Sequence, residues 1–401
     1  MPNGALEAIK AIELGQIASA PYCARLFADF GADVVKVEPP VSGDLSRQWG
    51  PFPNDEPDPE TSGLFFFMNT NKRGITLNVD APKGRELLLE LLRDADVLIE
   101  NNRPQQMRDW GLDYEALSKV NPDLVTISIT PYGQSGPYSD WNAYDLNAFH
   151  LSGTGHRYCG KPGEAPLEHG TLSADYFGAV AGAAWGLAAV YGRQHTGGGQ
   201  QIDVSCAEVI AAVFVGAQNI GGYAQDGVFE RRTGVGMPLG APATILPCKD
   251  GHVWILALES KQWDALGEVM GSPDWMRLEM FQDMFVRAQN AEAMYPLIQE
   301  WTLEHTKQEI MDLCQARGCP TTAIYTVGEA AEVPHLTERG YIVDVEHPKL
   351  GSIRDFGAPF QLPESPGGPA RPAPQLGEHN QEVLGALKNV DLSELNRDGI
   401  I

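Results

Sequence analysis

Residues 8–38, AIKAIELGQIASAPYCARLFADFGADVVKVE, contain the patterns of a strand, a helix and a second strand in direct succession. The short β-rich runs are 8–14 and 33–38, and the helical pattern between them covers 21–30. The alternation continues with a helix over 82–94, a strand over 97–100, a helix over 113–119 and a strand over 124–129. This spacing predicts an α/β fold, in which helices cover a parallel sheet in a Rossmann-like layout.

Two segments follow predicted strands directly, and ligands of such sheets bind beyond the carboxyl ends of the strands. Segment 15–19 includes Ile17 and Ala18, and segment 100–103 includes Asn101, Asn102 and Arg103. We therefore expect both segments at a ligand site. The first strand is followed by no GxGxxG pattern, so a dinucleotide is not favoured.

Further along, residues 172–182, LSADYFGAVAG, begin an apolar helix of small residues that runs to about residue 191. Its first turn carries one acid, Asp175, which the helix dipole stabilises and which Ser173 can precede as a cap. The acid is thus either a helix-start residue or a reactive group. The small residues after it allow a ligand or another backbone to approach closely.

The second half of the chain predicts a smaller α+β domain. A long apolar helix over 206–225 and a turn-rich loop over 226–240 lead into it, and a proline-rich linker and a last helix over 377–387 follow it. We divide the chain into four parts. They are a large Rossmann-like domain (1–205), a linker helix and loop (206–240), a small α+β domain (241–335), and a return linker with a C-terminal segment (336–401).

Composition excludes several classes of function. The 401 residues carry 29 Lys and Arg against 53 Asp and Glu, and the net charge of −24 opposes binding to nucleic acid or anionic membranes. The six cysteines lack metal-type spacing, so we expect reduced thiols and no metal site. There is neither a signal-like N-terminus nor an apolar run long enough to span a bilayer, so we expect a cytoplasmic protein.

Several motifs, taken in order along the chain, resemble class III coenzyme A transferases, the CaiB/BaiF family of formyl-CoA and carnitine CoA transferases. Besides the helix of Asp175, the resemblance rests on FGADVVKVE at 30–38 with Gly43-Asp44, NKRGITL at 71–77, ADVLIEN at 95–101, GLDY at 111–114, Asn121-Pro122, Cys319-Pro320 and LGEH at 376–379.

The resemblance implies that Asp175 is a nucleophile that forms an anhydride and then an aspartyl-CoA thioester. An acyl-CoA and a small organic acid are the implied substrates, with no permanently bound cofactor. A loop with Gly234, Val235 and Gly236 would close over the site, and two chains would form an interlocked homodimer. The implied CoA contacts are Ile17, Ala18, Asn71, Lys72, Arg73, Asn101, Asn102, Arg103, Tyr144 and Asp145.

Each of these assignments has a structural alternative. The glycine loop can be an ordinary surface turn, Lys72 and Arg73 can be a solvated charge pair, and Arg103 can pair with Glu100. Asn101 and Asn102 can bind a pantetheine amide or form the turn.

The chain departs from the family pattern at two positions. Pro39 stands where many relatives carry a nucleotide-holding arginine; Arg47 can either replace it or be the family's usual arginine after Gly43-Asp44. Ala18 stands where the oxalate-using branch carries a glutamine, which argues for an acceptor that is larger and more apolar than oxalate.

Two other functions remain open. An α-methylacyl-CoA racemase needs a second base, and Tyr144 occupies the position of its histidine; a phenol is a poor base near neutral pH. A non-catalytic subunit of a heteromeric transferase is the other alternative.

Overall fold

A parallel sheet forms the centre of the large unit in the computed structural model, which describes residues 4–227, 232 and 240–401. Its six strands, in chain order, are β1 (Lys10–Leu14), β2 (Asp33–Glu38), β3 (Arg73–Thr76), β4 (Val97–Glu100), β5 (Val125–Thr130) and β6 (Gln201–Ser205). The spatial order is β3-β2-β1-β4-β5-β6. The order reverses between β1 and β4, which is where ligands bind in doubly wound sheets. The predicted Rossmann-like sheet is confirmed.

Helices cover both faces of this sheet. They are α1 (Ser19–Asp29), α2 (Gly63–Asn69), α3 (Pro82–Leu92), α4 (Pro104–Trp110), α5 (Tyr114–Val120), α6 (Asp145–Leu151), α7 (Thr154–Tyr158) and α8 (Ser173–Thr196). Strand side chains alternate between the two layers: Ile127 belongs to one buried cluster with residues of α1 and α8, and Leu98 belongs to another with residues of α3 and α5. Both faces of the strands are therefore buried, as parallel sheets require.

The small residues of α8 bring this helix close to β5. A Cβ atom added at Gly182 would lie 2.7 Å from Ile129 Cδ1, and one added at Gly186 would lie 2.1 Å from Ile127 Cδ1. These glycines thus serve the packing of the helix on the sheet. After β6 come α9 (Cys206–Ile210), a π-helix (Ala211–Ile220) and α10 (Gly221–Asp226), in place of the one regular helix predicted over 206–225.

The chain divides into two compact units: residues 1–159, 167–230 and 334–401 form the first, and 160–166 with 231–333 form the second. The second unit is of the α+β type, as predicted. Its antiparallel strands are β7 (Ala243–Cys248), β8 (Gly251–Leu256) and β9 (Thr321–Ala323). Its helices are α11 (Ser260–Val269), α12 (Met284–Gln289), α13 (Ala291–Thr302), α14 (Lys307–Gln315) and α15 (Val327–Ala331).

The C-terminal residues return to the first unit. They form α16 (Pro334–Glu338), a hairpin of β10 (Ile342–His347) and β11 (Gly351–Phe356), and the short helices α17 (Asn380–Val383) and α18 (Leu392–Arg397). The last helix predicted over 377–387 is thus only four residues long. The Asn78 N–H donates to Ile400 O at 2.7 Å, which ties the end of the chain to the turn after β3. Within the described ranges, no helix is long and apolar enough to cross a bilayer.

Candidate active site

Asp175 lies in the first turn of α8, and a second carboxylate caps that turn. The Asp175 N–H donates to Asp145 Oδ1 at 2.8 Å, and the Ala174 N–H also donates to this carboxylate. Asp145 begins α6, so two helix starts meet here. Ser173, the predicted cap, is instead the first helical residue; Leu172 occupies the N-cap position and makes no side-chain cap. The cap thus comes from another helix, which local sequence does not reveal.

The surroundings of Asp175 disfavour its charged form. Burial, and secondarily the negative charge of Asp145, raise the pKa of Asp175 to about 7. Burial also raises the pKa of Asp145, although the two N–H groups of α8 act in the opposite direction. At neutral pH the Asp175 carboxylate is therefore poorly stabilised and only part of it is ionised. Such perturbed groups in clefts are typical of reactive sites.

A cavity of about 410 Å³ opens at Asp175, beyond the carboxyl ends of β1, β4 and β5. Its walls bring together residues 16, 17 and 19 with residues from the segments 101–106, 129–131 and 142–144. Of the predicted site residues, it collects Asp175, Ile17, Asn101, Asn102, Arg103 and Tyr144. A cavity at this place agrees with the rule for open α/β sheets.

The turn over residues 15–19 forms one wall of the cavity, and side chains of the turn after β4 hold it in place. Asn101 accepts from the Gln16 N–H at 3.0 Å and donates to Gln16 O at 2.8 Å and to Ser19 Oγ at 2.9 Å. Asn102 donates to Leu14 O at 2.8 Å. Both side chains thus hold the turns together, which is the structural alternative to binding a pantetheine amide.

Two cavity residues keep their polar groups near solvent. Tyr144 is 68% exposed. Arg103 is exposed and donates from Nη1 to Asn142 Oδ1 at 2.9 Å. Among the described residues that line the cavity, Arg103 is the one arginine.

A second, smaller cavity of about 160 Å³ adjoins the first at the switch point of the sheet. Gln16, Asn102 and Trp110 line both cavities, and Pro39 and Asp80 line the second. The Trp110 indole is fixed by donating to Asp80 Oδ1 at 2.8 Å. The two cavities are therefore neighbours along one groove.

Gln16 lines this groove and belongs to the segment 15–19, which its place after a strand had predicted at a ligand site. Trp110 and Asn142 also line the groove, and neither was predicted there. Trp110 ends α4 and Asn142 lies in a loop, and only the folded chain brings them to the cavity.

Comparison with known proteins identifies the family of this chain. Residues 6–380 match the sequence model of CoA-transferase family III. The chain belongs to this family.

Relatives of the family match over nearly their whole length. Succinyl-CoA--D-citramalate CoA-transferase of Chloroflexus aurantiacus is 31% identical over all of this chain and 99% of its own. Succinate--glutarate CoA-transferase of Agrobacterium fabrum is 32% identical over 98% of each chain. The crystal structure of a CaiB/BaiF family protein from Brucella suis superposes with a TM-score of 0.85, at 29% identity, over 96% of this chain and 99% of that one.

Three residues expected to contact CoA in this family III chain instead bind other parts of the protein. Lys72 is 2% exposed, and its ammonium contacts Glu13 Oε2 at 2.7 Å, Asn69 Oδ1 at 2.8 Å and Pro21 O at 2.7 Å. Burial lowers the pKa of Lys72 to about 8. The phosphate contact expected of Lys72 needs correction, because its charge is compensated inside the unit.

Asn71 and Arg73 need the same correction. Asn71 donates to Asp29 Oδ1 at 2.7 Å and accepts the N–H groups of Ala370 and Arg371, so it binds the C-terminal linker. Arg73 pairs with Asp33 at 2.7 Å and with Glu382 at 2.9 Å. It begins β3, at the amino end of the strand, whereas the cavity lies beyond the carboxyl ends of the strands.

The structure also places Ala18, Asp145 and Arg47 away from the roles expected of them in this family III chain. Ala18 is fully buried and does not line the cavity, so its small size opens no space for an acceptor. Asp145 is buried and binds α8 rather than lining the cavity. Arg47 is 1% exposed and forms two bonds to Glu38, at 2.7 and 2.9 Å, so it does not replace the arginine absent at Pro39. Gly234, Val235 and Gly236 lie outside the described residues.

Proposed function

We propose that this chain transfers coenzyme A from an acyl-CoA to a carboxylic acid, with Asp175 as the nucleophile. The observation that carries this proposal is a carboxylate with a pKa of about 7 on the wall of a cavity beyond the sheet. Membership of CoA-transferase family III supports it.

The reaction proceeds by acyl exchange on Asp175. The carboxylate attacks the thioester carbonyl, the C–S bond breaks, and a mixed anhydride and CoA thiolate result. The thiolate then attacks the aspartyl carbonyl, which releases the donor acid and leaves an aspartyl-CoA thioester. The acceptor carboxylate repeats these steps in reverse and leaves as its CoA thioester, which restores the free Asp175 carboxylate.

Backbone N–H groups are the proposed stabilisers of the tetrahedral oxyanion. Helix α1 begins at Ser19 beside the cavity, and Ala18 at its N-cap position makes no side-chain cap. Its first N–H groups are therefore not satisfied by that side chain. They carry the partial positive charge of a helix start toward this end of the sheet.

Coenzyme A occupies the two neighbouring cavities in this proposal. The thioester lies at Asp175, and the nucleotide end lies toward Pro39 and Trp110. Arg103, on the cavity wall, is the proposed phosphate contact, because its guanidinium is exposed and donates to the neutral side-chain amide of Asn142.

The acceptor in this proposal is an acid larger than oxalate. Among relatives at 31–32% identity, two are named for citramalate and glutarate, which both exceed oxalate in size, and another is named for oxalate. Ala18 does not bear on this choice, because it is buried and does not line the cavity.

Racemisation is less well supported than transfer. It requires two bases on opposite faces of the substrate carbon. Among the described residues that line the cavity none is histidine, and Tyr144 offers only a phenol. A non-catalytic subunit has no need for the perturbed carboxylate of Asp175.

The experiment is to incubate the isolated chain with an acyl-CoA in deuterated water and offer it oxalate, succinate and glutarate. We expect an acyl or CoA adduct on the peptide with Asp175, transfer with higher kcat/KM for the two longer acids, and little deuterium at the α-carbon. Asp175→Asn should fold and lose transfer. Undiminished transfer by this variant would refute the nucleophile, and rapid deuterium uptake would favour the racemase.

We also propose that the chain forms an interlocked homodimer. Large apolar side chains on α8 support a partner at that helix: Val180 is 50%, Trp185 66% and Tyr191 68% exposed. Exposed apolar patches of this kind mark interaction surfaces.

A further inference from the structure

Four charged side chains are buried beneath the segment 15–21, whose first part forms the cavity wall. Glu13, Lys36, Asp44 and Lys72 are each at most 2% exposed. Lys36 Nζ lies 2.6 Å from Glu13 Oε1 and 2.7 Å from Asp44 Oδ2, and Lys72 Nζ lies 2.7 Å from Glu13 Oε2. Two cations and two anions thus form a chain with no net charge. We call these four residues the buried quartet.

The buried quartet binds the backbone of the segment at its start, middle and end. Lys36 Nζ donates to Gly15 O at 3.2 Å, the Ile17 N–H donates to Asp44 Oδ1 at 3.0 Å, and Lys72 Nζ donates to Pro21 O at 2.7 Å. Hydrogen bonds to charged groups are stronger than neutral ones. Three of the four charges therefore act on one short segment.

The middle contact is made where the backbone is strained. Ile17 has φ +67°, a conformation that a β-branched side chain rarely adopts. Residues in such conformations persist only when their surroundings hold them there, and they cluster at functional sites. Ile17 lines the cavity of Asp175, so the strain lies on the wall of the candidate active site.

Asp44 is itself firmly held. Its Oδ1 accepts from the Ser46 N–H and Ser46 Oγ, both at 2.7 Å. Burial alone would raise the pKa of Asp44, but the charge of Lys36 and these hydrogen bonds lower it below its ordinary value. The acceptor for the Ile17 N–H is therefore a fixed carboxylate that stays ionised.

We propose that Asp44 is a positioning residue for the reaction at Asp175. It contacts no substrate; it holds the strained turn at Ile17 in the conformation that shapes the cavity wall. This inference rests on the proposed CoA transfer.

The test compares two variants with equal buried charge. Lys36→Met with Asp44→Asn, and Lys36→Met with Asp44→Ala, each remove one cation and one anion and leave the Glu13–Lys72 pair. The asparagine keeps an acceptor for the Ile17 N–H, whereas the alanine does not. We expect kcat to be about 10-fold lower in the alanine variant, with KM for acyl-CoA within about 3-fold, because misplaced groups lose rate. Equal kcat values would overturn the inference.

A third substitution separates positioning from a general structural role. Glycine adopts a positive φ without strain, so adding Ile17→Gly to both variants removes the need for the hydrogen bond. We expect the difference in kcat to shrink to about 3-fold or less. The same difference in both backgrounds would show that Asp44 acts elsewhere, and would overturn the inference.

A stability measurement keeps the inference testable if the alanine variant does not fold. In the otherwise unchanged chain, Ile17→Gly should unfold at a higher temperature than Ile17→Ala, since only glycine is free of strain at this φ. Equal or reversed unfolding midpoints would show that the turn at Ile17 is not strained, and would overturn the inference. An unchanged chain without transfer activity would instead refute the proposed function, whereas the stability order would still test the strained turn at Ile17 by itself.

Discussion

The charge state of Asp175 should control the rate of the reaction. Attack requires the ionised carboxylate, and burial together with Asp145 raises the pKa of Asp175 to about 7. Raising the pH through this value therefore increases the reactive fraction. We expect kcat/KM for the acyl-CoA to rise through about pH 7 and then level, and an inflection near the ordinary carboxyl value of about 4 would contradict the argument.

Asp145→Asn tests the cause of this shift. The amide oxygen still accepts the N–H groups of α8, but the negative charge beside Asp175 is gone. Because burial is the larger cause, the inflection should move to lower pH without reaching the ordinary value. The pH profiles of both forms give the measurement. An unmoved inflection would show that burial acts alone, and circular dichroism at each pH checks that the variant remains folded.

Residue type alone did not predict which charged side chains line the cavity. Asp175, Arg103 and the turns at 17 and 101–102 were found because they follow strands or begin a helix, and these rules concern local sequence. Lys72 fits the composition of a phosphate contact equally well. Its burial depends on Glu13, a residue 59 positions away, so no local pattern could exclude the phosphate role.

At the level of elements, the glycines of α8 determine how closely the helix approaches the sheet. A methyl group at Gly186 would lie 2.1 Å from Ile127 Cδ1, whereas Gly192 on the same helix has nothing within 4 Å of its added Cβ. We expect Gly186→Ala to lower the free energy of unfolding by about 1–3 kcal/mol through overpacking.

Gly192→Ala is the matched control on this helix. Since alanine favours helix over glycine, it should leave stability unchanged or raise it by up to about 1 kcal/mol. Urea unfolding of both variants gives the comparison. Equal effects of the two substitutions would mean that the contact with Ile127 does not limit the packing.

The strands β1, β2, β4 and β5 could be predicted because each is a short apolar run with a helix beside it. Strand β3 could not, since its four residues Arg73–Thr76 include Gly74 and only one large apolar side chain. Its strand state comes from pairing with β2, where Lys36 lies opposite Gly74. The hairpin over 342–356 was likewise missed because proline-rich sequence nearby suggested an extended linker.

At the scale of the whole molecule, α8 carries both the proposed nucleophile and exposed apolar side chains. Asp175 is in its first turn, and Trp185 and Tyr191 are about two thirds exposed further along. Other positions on the same helix, Gly182 and Gly186, pack on β5. A second copy that covered these rings would therefore also fix the helix that presents Asp175, and assembly and catalysis would be coupled.

This coupling leads to a prediction on assembly. If two chains interlock, separation requires unfolding of a linker, so dilution should not release a folded monomer. Sedimentation combined with circular dichroism from micromolar to nanomolar concentration measures this. Trp185→Asp should weaken assembly and lower transfer, because it places a charge in an apolar contact. Val327→Asp, at a position 89% exposed in the second unit, is the control and should change neither. A monomer with native helix content and full activity would refute both the dimer and its link to Asp175.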